Sequence, residues 1–169
     1  MTASLYPACV PVFTQMLGGL RGVLSAAQAH ASERAIEPAA LLQARLFPDM
    51  FPLVRQVQIA CDFARGVSAR LAQAEVPPAA NSEHDFPTLL ALIDATLEML
   101  KGLPEAAFAN AQSREIVLRP GTPKERRLAG DAYLLSYGLP QFFFHLTTSY
   151  ALLRHSGVPI GKKDYMGAW

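Results

Sequence analysis

The sequence predicts an all-α fold, a four-helix bundle with a small β-hairpin between the third and fourth helices. Four segments repeat apolar residues at steps of three and four, which is the period of an amphipathic helix. One further stretch, residues 114–128, changes to the alternation of a strand pair. With 169 residues, 51% hydrophobic and 17% charged, the chain can bury one core without a disulfide or metal. We therefore expect a single domain over residues 1–169.

The first helix is predicted over about residues 7–30. One apolar stripe runs along it, formed by Phe13, Met16, Leu17, Leu20, Val23, Leu24 and Ala27. Pro7 and Pro11 suit only a first turn, where the missing N–H has no partner to lose, so the regular helix is expected to begin near them. A short helical patch over residues 39–46 follows in the next link.

The second helix is predicted over about residues 49–74. Its apolar stripe keeps the three-four spacing of bundle packing, at Val54, Val57, Cys61, Ala64, Ser68 and Leu71. A separate polar arc carries Arg55, Gln58, Asp62 and Arg65. Val76, Pro77 and Pro78 end this helix and lead into a polar loop.

The third helix is predicted over about residues 86–103, with Asp85 as its cap and Pro87 in its first turn. A helical turn over residues 104–111 continues it, and a partly solvated hairpin follows. The fourth helix is predicted over about residues 139–156. Gly157, Val158 and Pro159 stop it in a Schellman motif, with glycine in the left-handed conformation and valine packed back on the last turn.

The charge pattern argues against nucleic acid and membrane partners. The formal net charge is only +1, so no strong field attracts phosphate backbones or anionic lipids. The hairpin concentrates basic residues, but acidic residues interrupt them and aromatic residues are absent, so we interpret this cluster as a solvated surface. Its basic members are Arg114, Arg119, Lys124, Arg126 and Arg127.

A reduced, cytoplasmic setting is expected. Cys9 and Cys61 both fall in apolar helical patterns, where a free cysteine behaves as a small hydrophobe. The uncharged first twenty residues lack the basic start of a signal peptide, and Pro7 and Pro11 interrupt them. No stretch of eighteen apolar residues predicts a membrane span.

His145 is the main candidate for a functional residue. It follows three phenylalanines in the fourth helix and shares a face with Gln141, Thr148 and Ser149. Two interpretations stand: a core histidine hydrogen-bonded to a neighbour, or a ligand or acid–base group in a bundle pocket. No H-x-x-x-H or H-E-x-x-H motif occurs, so His145 alone gives an incomplete set of metal ligands.

Gln56 and Asp49 are the polar residues of the second helix expected to face His145. At about 100° per residue, Gln56 lies at the edge of the apolar arc, and Asp49, seven residues earlier, falls on the same side. Alternatively, Asp49 caps the helix and Gln56 is a buried amide that bridges two helices. The candidate pocket comprises His145, Gln56, Asp49 and Tyr150.

Two segments resemble a known family. Residues 45–64 (RLFPDMFPLVRQVQIACDFA) and 142–167 (FFFHLTTSYALLRHSGVPIGKKDYMG) are similar to an uncharacterised bacterial and fungal family of the DinB/YfiT-like metalloenzyme superfamily. The resemblance spans nearly the whole chain. It implies an up-down-down-up four-helix bundle and a homodimer.

The resemblance also implies a metal site from which this chain departs. The superfamily places one histidine on helix two and an H-x-x-x-H pair on the last helix around a divalent metal. Here His145 matches the first of that pair, Ser149 stands at the second, and helix two has no histidine. Gln56 or Asp49 would have to substitute. We therefore expect a degenerate or absent site, with zinc or nickel as the metals to consider.

Two functions follow from these observations. The first is a DinB-like bundle that binds an unknown small molecule or a partner without a complete metal site. The alternative is a metal-dependent enzyme that uses His145 with Asp49 and Gln56.

Overall fold

Four long helices form the molecule, as predicted. The computed structural model describes residues 4–168, in which the long helices are α1 (Tyr6–Glu33), α3 (Leu53–Leu71), α4 (Phe86–Lys101) and α6 (Leu139–His155). Shorter helices are α2 (Pro38–Leu42), α5 (Gly130–Ala132) and α7 (Lys162–Met166). The predicted hairpin is present as antiparallel strands β1 (Glu115–Leu118) and β2 (Arg126–Ala129), with Glu115 opposite Ala129.

The core lies between the four long helices. α3 packs against α4 and α6, while α1 packs against α4 and α6 and carries α7 on its side. The largest fully buried side chains are aromatic, and Phe13 of α1 meets Phe142 of α6 edge to face at 4.8 Å. Such edge contacts add to the hydrophobic stabilisation of a core. None of the helices within residues 4–168 has the length and hydropathy of a membrane span.

Both cysteines are free and buried in this core. Burial raises the pKa of Cys9 and of Cys61 to about 12, because a thiolate would lose its hydration there. The two thiols therefore stay protonated and pack as small apolar groups, in agreement with the prediction.

α3 begins later than predicted, at Leu53 instead of near residue 49. Pro52 is extended and stands at the N-cap, and a residue that precedes proline, here Phe51, is disfavoured in the helical region. The preceding loop closes on itself, because the Leu53 N–H donates to the Ala44 carbonyl at 3.0 Å. The predicted patch over residues 39–46 is likewise shorter, as α2.

The polar arc of α3 is covered by the loop that follows that helix. Arg55 donates to the carbonyl of Ala80 at 2.7 Å, and Gln58 donates to the carbonyl of Glu83 at 2.9 Å. The Ala80 N–H in turn donates to Asp62 at 2.9 Å. The residues of the predicted polar arc thus bind a loop, and Gln58 is buried.

The predicted helix ends at Asp85 and Gly157 are both confirmed. Asp85 and Thr88 form a reciprocal capping box, with the Thr88 N–H donating to Asp85 at 2.8 Å. At the end of α6, Gly157 has φ +88°, and Val158, fully buried, donates its N–H to the Leu153 carbonyl at 3.1 Å. This is the predicted Schellman motif.

The last long helix, α6, begins at Leu139 as predicted, but a further helical segment leads into it. α5 runs without a break into a π-helical turn, Tyr133–Gly138, and that turn runs into α6. Pro140 lies in the first turn of α6 and cannot donate a backbone hydrogen bond, and the wider turn before it accommodates the missing donor. The upstream segment, residues 130–138, was not predicted, and its π-helical turn forms part of the candidate site.

Candidate functional site

His145 and Gln56 form a buried hydrogen-bonded pair across the bundle. His145 on α6 is 8% exposed and Gln56 on α3 is 1% exposed. The His145 Nδ1 lies 2.7 Å from the Gln56 Oε1. This contact joins α3 and α6, which pack together more extensively than any other pair of elements in the described chain. Gln56 is therefore a buried amide that bridges two helices, which is one of the two interpretations of this residue given above.

The position of the imidazole proton follows from the second bond of Gln56. The Gln56 Nε2 donates to the carbonyl of Phe51 at 3.1 Å, which turns Oε1 towards His145. An amide oxygen can only accept, so Nδ1 of His145 carries the proton and donates it. In the neutral ring, Nε2 is then left with a free lone pair.

His145 is neutral over the ordinary pH range. Burial, through the lost hydration of the imidazolium, and the nearby charge of Arg55 together lower the pKa of this histidine to about 4. The ring is also held in place by its neighbours. Phe63 of α3 stacks on it at 6.0 Å with 14° between planes, and Phe144 meets it edge to face at 5.2 Å.

The other predicted pocket residues do not join this pair. Asp49 is exposed in the loop before α3, so it neither caps that helix nor faces inward. Tyr150 packs against Tyr165 of α7 at 5.5 Å instead. The predicted quartet is therefore corrected to His145 and Gln56.

These residues do not fit the metal site of the superfamily. Gln56 uses its oxygen for His145 and its nitrogen for Phe51, and the Ser149 hydroxyl donates to the carbonyl of His145 at 2.8 Å. Within residues 4–168 there is no group of three or more His, Cys, Asp and Glu side chains arranged to hold a metal ion. Only Nε2 of His145 is available as a ligand, where a site needs three or four.

A cleft adjoins the His145–Gln56 pair through Phe63, which lines the cleft and stacks on His145. We call it the Tyr137 cleft; its cavity volume is about 200 Å³. α3 supplies one wall, the end of β1 a second and the π-helical turn a third. The lining side chains are Asp62, Phe63, Gly66, Val67, Arg70, Leu118, Arg119, Tyr133 and Tyr137.

Aromatic rings make up the inner wall of the Tyr137 cleft. Tyr133 and Tyr137 of the π-helical turn stack at 5.8 Å with 21° between planes, and Tyr137 also meets Phe63 edge to face at 5.9 Å. Because Phe63 also stacks on His145, one row of rings connects the buried pair to the cleft. π-helical turns are frequent at functional sites, where they displace side chains from the regular helical positions.

A close helix approach sets the shape of this region. At Gly138, the end of the π-helical turn, an added Cβ would lie 2.8 Å from the Val67 Cγ2 on α3. Only glycine lets the two helices approach this closely. Gly138 therefore positions Tyr137 against α3.

A larger cavity opens beside the cleft, under the hairpin. We call it the hairpin cavity; its volume is about 520 Å³, and it shares Leu118, Arg119 and Tyr137 with the Tyr137 cleft. Its other lining side chains are Pro123, Lys124, Glu125, Arg126 and Gln141. Gln141, one helical turn before His145 on α6, is among these lining residues.

Sequence reasoning identified the buried pair and missed the cleft. The cleft depends on the π-helical turn and on the place where β1 ends, and neither is visible in a local hydrophobic period. One signal was available: Tyr133, Leu134 and Tyr137 continue the apolar spacing of α6 upstream of residue 139.

Two comparisons place the chain among known proteins. A family model described as "Domain of unknown function (DUF1993)" matches residues 5–166. A crystal structure of a DinB family member protein from Shewanella denitrificans is 39% identical in sequence. That match covers 98% of this chain and 93% of the other, with a TM-score of 0.91. It agrees with the predicted DinB-like bundle. No curated protein matches this chain.

Proposed function

The chain belongs to the DUF1993 family, and we propose that it is a binding protein that holds a small molecule in the Tyr137 cleft. The observation that carries the proposal is the row of aromatic rings from His145 through Phe63 to Tyr137, which ends in an open cavity. Concave sites with mostly apolar and aromatic walls and a few polar groups are the usual sites for small molecules.

The protonation of His145 favours binding over acid–base catalysis. A group with a pKa of about 4 is protonated in roughly one molecule in a thousand at pH 7, so it is a poor proton donor. Because the imidazolium form has so low a pKa, the neutral ring is also a weak base. The neutral ring instead supports the cleft wall, because Phe63, which lines the cleft, stacks on it.

The metal-dependent alternative has less support in the geometry. Asp49 lies away from His145, and Gln56 is engaged at both ends of its amide. Stoichiometric zinc or nickel in untagged protein, lost in a His145→Ala variant that still folds, would overturn our proposal in favour of this alternative. Elemental analysis of purified protein after loading with each metal provides the measurement.

The proposal can be tested with a neutral aromatic probe, 2-naphthamide, followed by nuclear magnetic resonance. We expect saturable shifts of the backbone amide of Gly66, which lines the cleft, and no shifts at Gly22 on α1. Tyr137→Ala should weaken the probe about fivefold, since it removes a stacked ring. Leu135→Ala is the matched control, because Leu135 is exposed on the same π-helical turn and does not line the cleft.

Absence of saturable shifts in the cleft, or equal weakening by both variants, would contradict the proposal. Thermal unfolding of each variant should be measured in parallel. A folded Tyr137→Ala protein that binds as the original does would also count against the cleft.

We also propose a homodimer, which the family resemblance implies. Support comes from large apolar side chains that are exposed: Phe51, whose carbonyl accepts from Gln56, Phe144, whose ring meets His145, and Phe47 in the loop before α3. Exposed apolar groups of this size mark interaction surfaces when they cluster. Light scattering across a range of concentrations should give twice the mass of the chain, and Phe144→Glu should shift it to monomer. A monomer at every concentration would refute this.

A further inference from the structure

We propose that the Tyr137 cleft and the hairpin cavity together bind a small aromatic anion. Its ring would lie against Tyr137 and its anionic group at Arg119, the two polar residues that line both cavities. The inference rests on the proposed function, because it names the class of ligand for the same cleft.

Cationic side chains outnumber carboxylates in the joined cavities. Arg70 and Arg119 line the cleft, and Lys124 and Arg126 join Arg119 in the hairpin cavity. The whole chain carries a net charge of only +1. The excess of positive charge is therefore a local property of this site.

Both carboxylates in the lining are already bound by cations that lie outside it. Asp62 accepts from Arg65 at 2.5 Å and from the Ala80 N–H at 2.9 Å. Glu125 accepts from Arg127 at 2.9 Å and from the Gly121 N–H at 2.8 Å, and these bonds hold the pKa of its carboxyl below the usual range. Neither carboxylate is left to neutralise the lining cations.

The lining cations, by contrast, have no anionic partner. In the part of the chain that the structure describes, the charged groups of three lining residues form no ion pair and no hydrogen bond: Arg119, Lys124 and Arg126. Arg70 donates through Nη1 to the Gly66 carbonyl at 3.0 Å and to the Tyr133 hydroxyl at 3.4 Å. These bonds place the Arg70 guanidinium in the cleft without neutralising it.

Aromatic and cationic groups in one site select a ligand with both features. A flat ring gains from stacking and edge contacts with Tyr137 and Phe63. A guanidinium fork binds a carboxylate through two parallel hydrogen bonds, which adds direction to the charge attraction. Adjacent cavities of about 200 and 520 Å³ with three lining residues in common suit a ligand of one or two rings.

The test compares 2-naphthoate with its neutral isostere 2-naphthamide in calorimetric or resonance titrations. We expect naphthoate to bind about tenfold more tightly at low ionic strength, and we expect salt to reduce this preference. Arg119→Gln should weaken naphthoate about threefold and leave naphthamide unchanged. Arg34→Gln, at an exposed position after α1, removes the same charge away from the cleft and should leave both affinities unchanged.

The outcomes separate the two proposals. Equal affinities for the two probes at low salt would overturn the anion inference and leave the cleft as a binding site. Equal weakening of naphthoate by Arg119→Gln and Arg34→Gln would also overturn it, because the effect would then come from overall charge. Failure of both probes to bind would refute the proposed function itself.

Discussion

Acidification should destabilise the protein through His145. The perturbation is a change from pH 7.5 to pH 5, and the observable is the free energy of unfolding in urea. The pKa of His145 lies at about 4 in the folded state and at about 6.5 in an unfolded chain. Since the folded value is depressed, the unfolded chain binds more protons over this range. The stabilisation that comes from neutral His145 is fully present above pH 6.5 and is lost as the pH falls towards 4.

The expected loss can be worked out from these values. With the full shift, the linkage relation gives about 2 kcal/mol between pH 7.5 and pH 5. The side chain is buried, with 8% of its surface exposed, so we expect a measured loss of about 1–2 kcal/mol. Asp85 also has a lowered pKa, but its carboxyl is ionised throughout this range.

A histidine variant assigns the loss to this residue. His145→Asn keeps an amide donor where Nδ1–H stands but cannot titrate, so its stability should fall less between the two pH values. His84→Asn is the matched control, because His84 is exposed in the loop before α4. Equal pH dependence in the original protein and in His145→Asn would refute the reasoning, as would a resonance titration of His145 with a midpoint near 6.5.

Four further substitutions, two at the site and two away from it, are tested by urea unfolding. Gln56→Leu leaves the His145 Nδ1–H without an acceptor and should cost about 1–3 kcal/mol, whereas the exposed Gln28→Leu should change little. Gly138→Ala places a methyl group 2.8 Å from a valine on α3 and should cost about 1–3 kcal/mol. At Gly22, in mid-helix, an added Cβ meets no atom within 4 Å, so Gly22→Ala should raise the free energy of unfolding by about 0.5–1 kcal/mol. Gly157→Ala should cost about 1 kcal/mol because φ there is +88°. A lower free energy of unfolding in Gly22→Ala, or a higher one in Gly157→Ala, would contradict the argument for that position. An unchanged free energy of unfolding in Gly138→Ala or Gln56→Leu would do the same.

Features that depend on the local hydrophobic period were predictable from the sequence. Features that depend on how distant segments pack against each other were not. His145 and Gln56 lie on the inner faces of regular helices, so counting at 100° per residue was enough to bring them together. Asp49 was placed by the same count, and the prediction was wrong because Pro52 starts the helix after it. The count holds only inside a helix.

The start of the last helix shows a different limit. Gly138 and Pro140 are typical of a helix boundary, and a boundary was predicted there. The chain instead widens into a π-helical turn that keeps the helix continuous and accommodates both residues. Arg119 joins the cleft only because β1 ends beside α3, and no local pattern contains that relation.

The two parts of the site differ in charge, and this difference determines how a ligand would be oriented. At the inner end, Phe63, Tyr133 and Tyr137 form an aromatic wall, and His145, which stacks on Phe63, is neutral and adds no positive charge there. The Arg70 guanidinium at that end already donates to the Gly66 carbonyl and the Tyr133 hydroxyl. At the outer end, Arg119 and Lys124 are exposed and lack anionic partners in the described chain. A charged group is therefore stabilised at the mouth, and the ring is left to the aromatic wall. A neutral ligand lacks this preference and can enter in either direction. The anionic probe naphthoate should therefore give a single set of contacts with labelled cleft residues, whereas neutral naphthamide should give several sets.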